Sequence, residues 1–407
     1  MTRTFQSRAS RPVTSWKTAR SMPPRVETSL VVTIVTARRP LVESMCINGS
    51  SPENDPSDTA PTSAAPVFCY QQAMPSDSPT AESPSRGEIS TPSVSVLVPS
   101  YRRPEYLRRC LAGLATQDRC PDEVIVVHRV DDEQTIAACS DPDLALGVQL
   151  VPVDVSGVVA ALNAGMRACR TEIVAITDDD VVARHDWLAR IVATLQSHPD
   201  AIAVGGRDLV HHRNGVIEHG QARVVGRIQW FGRIVGNHHL DIPPGARHVD
   251  ALKGANMAWW RSALEGINFD ERLRGDGAQV HWELALCLAA RHRGKILYDS
   301  GITVDHYGGP RFDEDGRLHC SSTAVFNAAY NEAFIINLYL PLRTILPYTA
   351  WAVLLGSRRF PGLLLTSFAR EEGLPRLTAL RGRLTGIREG LRERRRQRQL
   401  YEAGIVD

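Results

Sequence analysis

Asp178, Asp179 and Asp180 stand in succession at the end of an expected strand, Glu172 to Thr177, whose four central residues are apolar. Like charges a few ångströms apart repel by ~1 kcal/mol or more even in a water-like dielectric, and by more in a cleft. A bound cation relieves that repulsion. Carboxylate oxygens suit Mg²⁺ or Mn²⁺, hard ions that bridge protein to diphosphate oxygens. The plainer alternative is a solvated acidic turn capping the next helix. Trp259, Trp260 and Trp282 offer flat faces for stacking on a ligand, or bulk for a core.

The elements that must carry these residues follow from periodicity. Val94 to Val98 reads as a buried strand, followed by Pro99-Ser100-Tyr101-Arg102-Arg103-Pro104 and a helix with Leu107, Leu111 and Leu114 on one face. Strands are expected at Glu123 to Val127, Val148 to Val153, Glu172 to Thr177 and Ala201 to Val204. Helices are expected from Val158 to Cys169 and from Asp186 to Ser197, the latter capped by its aspartate. This alternation predicts an α/β fold, a parallel sheet with helices on both faces, and ligands in such sheets bind beyond the carboxyl ends of the strands, where the aspartates lie. Arg207 to Pro244 reads as irregular. His248 to Trp260 reads as a strand pair, Trp282 to Arg291 as a helix and Lys295 to Tyr298 as a strand.

Taken together, the Pro99 to Arg103 loop and the triple aspartate resemble the family 2 glycosyltransferases, and the resemblance covers about residues 93 to 310. Leu162-Asn163-Ala164-Gly165 matches an Arg-Asn-x-Gly element without its arginine. Gly254-Ala255-Asn256-Met257, Phe269-Asp270-Glu271 and the Glu283 helix follow in the family's order. The resemblance implies a GT-A, Rossmann-like nucleotide-diphospho-sugar transferase domain with a DXD-type motif. Inverting transfer to a saccharide or lipid-linked acceptor, in polysaccharide or glycoconjugate assembly, is the implied activity. Asp178, Asp180 and His306 would hold Mn²⁺ or Mg²⁺. Pro99, Tyr101, Arg103, Asn163, Asp178 and Asp179 would meet the donor, and Gly254, Ala255, Asn256 and Trp282 the acceptor. The family's base-reading aspartate is absent after the second strand, where the chain reads Val127-His128-Arg129-Val130-Asp131-Asp132, so Asp131 or Asp132 is expected to take that role after a shift. Glu283 is the expected general base, and Asp276 is the fallback. A nucleotidyltransferase would normally show glycine in its first loop, which has none here. A non-catalytic nucleotide-sugar-binding module of the same fold is the other alternative.

Composition sets the outer limits. Of 407 residues 43% are hydrophobic, and 47 basic side chains nearly balance 45 acidic ones, which excludes disorder throughout and argues for no nucleic-acid partner. Eight cysteines form no C-x-x-C pair, so a reduced, cytoplasmic protein is expected. Residues 1–92, rich in Ser, Thr and Pro, are expected to be disordered. The transferase domain is placed at 93–315 and a helical, partly apolar and Arg-rich extension at 325–407. The apolar stretch Ala333 to Phe368 is broken by Pro341, Arg343, Pro347, Arg358, Arg359 and Pro361, which fits interfacial or packed helices better than a membrane span. Attachment to the inner face of the cell membrane is one expectation. Packing of the Arg-rich helix as a solvated face of the domain is the other.

Overall fold

The computed structural model describes residues 91–140, 144, 146–212, 217, 219–277, 280–310, 312, 321–357, 360, 362–364 and 376–403, so the expectation for residues 1–92 falls almost wholly outside them. Strand β1 (Val94–Pro99) is buried along nearly its whole length, without the alternation of a half-solvated strand, because both faces are covered. Helix α1 (Pro104–Ala115) opens on a proline, whose missing N–H costs nothing in a first turn. Its Leu107, Leu111 and Leu114 are fully buried against the sheet, each contributing about 1.5–3 kcal/mol. Strand β2 (Glu123–Arg129) follows, then a short helix α2 (Glu133–Cys139) that periodicity did not reveal.

Next come β3 (Val148–Val153), α3 (Val158–Ala168), β4 (Ile173–Ile176), β5 (Val181–Ala183), α4 (Trp187–Ser197) and β6 (Ala201–Val210). Two corrections belong here. Asp186 does not cap α4 with its side chain; it pairs instead with Arg190 one turn on. The segment expected to be irregular begins inside β6, which runs on to Val210.

Short strands β7 (Arg227–Ile228) and β8 (Ile234–Val235) form a separate ribbon. The expected strand pair between His248 and Trp260 does not form. Strand β9 (Arg247–His248) pairs with β11 (Lys295–His306), while β10 (Met257–Trp260) lies antiparallel between β4 and β6. Helix α5 (Trp282–Ala290) packs near the same layer. The main sheet runs β3-β2-β1-β4-β10-β6-β11-β5, so it is parallel-rich but mixed, within the expected α/β class.

Helices α6 (Ser322–Tyr339), α7 (Leu342–Leu354) and α8 (Arg376–Glu402) follow. Tyr330, Ala333 and Phe334 of α6 belong to the hydrophobic cluster that includes Leu97, Leu162 and Trp259, so the helices share the core of the sheet layer. Helix α8 lies on α6 through Gly382, Gly386 and Gly390. A Cβ at Gly382 would sit 2.5 Å from the Phe326 carbonyl oxygen, and one at Gly390 2.7 Å from that of Phe334. Only hydrogen fits at such spacing, and larger residues there would cost on the order of 1–3 kcal/mol. Arg383 is fully buried and donates to the Ala352 carbonyl at 2.8 Å. The packing alternative for the Arg-rich helix is therefore observed for its inner face, while Arg381, Arg388, Arg392, Arg395, Arg396 and Arg398 face outward.

Among the described residues no helix is long and apolar enough to cross a membrane. Cys110, Cys139, Cys169 and Cys287 are free thiols, but Cys120 is disulfide-bonded, against the expectation that all are reduced.

Candidate active site

The carboxyl ends of β1, β2 and β4 open onto one cleft. Its wall at the β1–β3 side is largely apolar, built from Pro99, Tyr101, Val127, Val153, Val155 and Phe312 beside His128 and Arg129. Tyr101 stands edge-on to Phe312 at 6.3 Å, with the Arg102 guanidinium 4.9 Å from its ring centre. The opposite side is polar and carries Asp178, Asp179, Asp180, Lys253, Asp276, Glu283 and His306.

Sheet pairing assembles the acidic centre. Strand β5 pairs with the last residues of β11, Val181 opposite His306, and Tyr307 N donates to the Asp180 carbonyl at 2.9 Å. Residues 126 apart in sequence, Asp180 and His306, thus become neighbours, with His306 Nε2 3.3 Å from Asp180 Oδ1. One ligand atom from each of Asp178, Asp180 and His306 lies within 4.8 Å of the others. That spread and the O, O, N donor set fit a small divalent cation.

Charges inside the centre are unequal. Burial, reinforced by Asp180, raises the Asp178 carboxyl above the usual carboxylate range. Burial also raises Asp179, although Arg103 and Ser100 oppose it: Arg103 Nη1 donates to Asp179 Oδ1 at 2.7 Å and Ser100 Oγ to Oδ2 at 2.8 Å. For Asp180 burial works in the same direction but is outweighed by His306, Arg103 and the Gly309 N–H, which hold the carboxyl well below its usual value. Burial would keep His306 neutral, yet its bonds to Asp180 and Asp208 raise it well above an ordinary imidazole.

The two candidate bases come from a different part of the chain. Glu283 sits in the first turn of α5, where the helix dipole favours an acid. Asp276 lies in a loop shaped by Gly275 at φ 96°, and α3 begins at Gly157 with φ 107°, conformations that glycine adopts without strain. Val158 N donates to the Asp276 carbonyl at 3.1 Å. The C-terminal helices brace this loop: Asn331 of α6 bonds both the N–H and the carbonyl of Arg274, at 2.9 and 2.7 Å, and Arg274 reaches Glu389 of α8 at 3.2 Å. No motif in the sequence announced that brace, since it joins an isolated asparagine and an isolated glutamate to a distant loop.

Most expected site residues line the cleft, including Pro99, Tyr101, Arg103, Gly254, Ala255, Trp282, both candidate bases and the cation set. Four do not. Asp132 turns away to cap α2, accepting from Thr135 N at 3.1 Å and Thr135 Oγ1 at 2.6 Å, and Asp131 pairs with Arg102 at 3.3 Å on the surface. Asn163 ties α3 to the 269–271 turn through the Phe269 N–H and carbonyl and Glu271. Asn256 is fully buried, accepting from Trp187 Nε1 and donating to the Arg207 and Ile302 carbonyls. Asp132, Asn163 and Asn256 are short polar side chains that satisfy buried backbone or indole groups, which would otherwise cost about 1–3 kcal/mol apiece. Where the missing base-reading aspartate would stand, the cleft presents His128 and Arg129. Sequence reasoning also passed over Lys253, Ser100 and Asp208.

Residues 95–248 match the family model for glycosyl transferase family 2. The amylovoran biosynthesis glycosyltransferase AmsE of Erwinia amylovora is 28% identical over 125 residues, 30% of this chain and 47% of that protein. The succinoglycan biosynthesis protein ExoO of Rhizobium meliloti is 30% identical over 123 residues, 29% and 34% of the two chains. The chain thus spans less than half the length of these relatives. The solved structure of S. aureus TarS 1-349 aligns over 74% of this chain and 82% of that one, at 16% identity and a TM-score of 0.49. The stretch that matches the family model runs from β1 to β9, under the cleft just described.

Proposed function

We propose that the protein is an inverting, metal-dependent glycosyltransferase that moves a sugar from a nucleoside-diphosphate donor to an acceptor hydroxyl. The observation that carries this reading is one cleft with an apolar, aromatic wall on one side and, opposite, a cation-type donor set beside two further carboxylates. The family match and relatives named for polymer biosynthesis support it. In this reading the nucleoside lies against Tyr101 and Val153, and the sugar reaches toward Gly254 and Trp282. Glu283 accepts the proton of the acceptor hydroxyl as its oxygen attacks the anomeric carbon, and the bond to the diphosphate breaks on the opposite face. Asp276 is the alternative base. Asp178, Asp180 and His306 would hold Mn²⁺ or Mg²⁺, which when bound supplies Lewis-acid stabilisation of the departing diphosphate. Lys253 adds a fixed positive charge to the same side. A melting-temperature panel of nucleotide sugars with Mn²⁺ or Mg²⁺ tests the reading: a donor that stabilises only with metal is the expected result. No shift with any donor would overturn it.

The acceptor is proposed to be a saccharide or a lipid-linked saccharide reached from a membrane surface. Leu342, Leu346, Leu354 and Leu355 of α7 and its C-terminal end are exposed, as are Leu363 and Leu364. On α8, Leu377 and Leu384 alternate with outward Arg381 and Arg388. Apolar side chains among arginines suit an anionic leaflet, where each cation adds about 1 kcal/mol. Co-sedimentation with anionic vesicles that weakens at high salt is expected. Absence of binding to anionic vesicles would make a soluble saccharide the acceptor.

A further inference from the structure

We propose that Asp208 is a positioning residue that sets two groups of the cleft at once: the imidazole of His306 and the ammonium of Lys253. This rests on the cation set of the proposed function but adds to it a residue that does not itself line the cleft. Asp208 lies near the end of β6 and is fully buried. Its Oδ1 is 3.0 Å from His306 Nδ1, and its Oδ2 is 2.9 Å from Lys253 Nζ. The neighbouring strand makes this meeting possible. Strand β11 is out of register between Asp299 and Thr303 and then resumes beside β6, with Val304 opposite Asp208 and His306 opposite Val210. Gly206 admits the displaced backbone, since a Cβ there would collide with Ile302.

A carboxylate can only accept, so Nδ1 of His306 keeps its hydrogen toward Asp208. Nε2 is thereby the nitrogen aimed at Asp180 and the cation position. Histidines that bind metals almost always give their other N–H to such a partner, which fixes ring orientation and tautomer. The second oxygen faces Lys253 Nζ as an ion pair. Lys253 is held at the cleft wall with its side chain 41% exposed, placed to meet a diphosphate. Asparagine in place of Asp208 has nearly the same shape but a single acceptor, so it cannot serve both partners.

The test uses the full chain with Mn²⁺ alone, then Mn²⁺ with UDP or GDP, read by calorimetry. Asp208→Asn is expected to weaken Mn²⁺ binding ~10–100-fold, the usual effect of losing an outer-shell partner, with the fold intact by melting. In a His306→Gln background the same substitution should change Mn²⁺ affinity less than about twofold, because the coupling runs through the ring. Lys253→Met should retain wild-type Mn²⁺ affinity and lose nucleoside diphosphate affinity. Wild-type Mn²⁺ affinity in Asp208→Asn, or an equal loss with His306 absent, overturns the proposal and leaves the cation set standing. If the wild-type chain itself binds no Mn²⁺, the cation reading falls and takes this proposal with it. Should Asp208→Asn fail to fold, Lys253→Met decides: lost Mn²⁺ affinity or unchanged diphosphate affinity overturns the division of roles.

Discussion

Glu283→Gln is expected to bind the donor as the wild type does and to transfer sugar roughly 10²–10⁴-fold more slowly. Glutamine keeps the length and hydrogen-bonding capacity of the side chain and loses only the ability to take a proton, so an unchanged donor affinity with a lower turnover isolates general-base work. The substitution sits in the first turn of α5, where loss of the charge costs no more than about 1 kcal/mol of helix-dipole stabilisation. A fall in turnover therefore cannot be assigned to unfolding if the melting temperature stays within a few degrees. Asp276→Asn is the paired measurement. Should Glu283→Gln transfer at near wild-type rate while Asp276→Asn abolishes transfer, the base is Asp276, held by the Gly275 loop and braced by Asn331.

The second large effect concerns the acidic centre, and it separates two aspartates that stand two residues apart. Asp178→Ala and Asp180→Ala should both remove metal-dependent donor binding, by more than the ~10–100-fold that an outer partner costs. Their stabilities should move in opposite directions. Asp178 has its carboxyl raised by burial and by Asp180, so its ionised form is a burden near pH 7, and alanine relieves it. The sign follows from linkage: a carboxyl raised in the fold binds more protons there than in the unfolded chain, so stability falls as pH rises through the interval between its unfolded and folded values. Asp180 is lowered in the fold by His306 and Arg103, and its Oδ2 accepts from the Gly309 N–H at 2.6 Å. Removing it takes from Arg103 and His306 one of the two carboxylates that each faces, so the melting temperature should drop. Thermal melts with and without Mn²⁺ check both signs. Equal donor affinity in either variant, or in the wild type with chelator present, would sink the cation role.

Regular elements were readable wherever a single element supplied its own pattern. The leucines of α1, the mostly apolar run of β1, the apolar run of β4 and the acids after β4 each carry their signal within a few residues, and the structure forms those elements. Patterns that depend on a partner were not readable. Helix α2 is seven residues long, too short for a periodic stripe, and its cap Asp132 reads as a ligand in the sequence because one carboxylate suits either task. The sequence suggests for strand β10 a hairpin partner next in the chain, but it inserts between β4 and β6, a choice made by the shape of the finished sheet.

From the sequence alone came the α/β class, the family resemblance, the acidic cluster at the strand ends and the candidate bases, because each depends on local residue type and order. Tertiary structure alone decided which polar residues face the cleft and which serve the core. Asn163, Asn256 and Asp132 have the chemistry of ligands, yet each is consumed by buried N–H and carbonyl groups that must be satisfied. Asp208 reads as an unremarked acid in a loop until β11 slips its register and brings His306 beside it. The physical reason is one of range: a side chain's type is written in the chain, but the hydrogen-bond partners of Asn163, Asn256 and Asp208 are set by strand pairings and helix contacts 46 to 108 residues away.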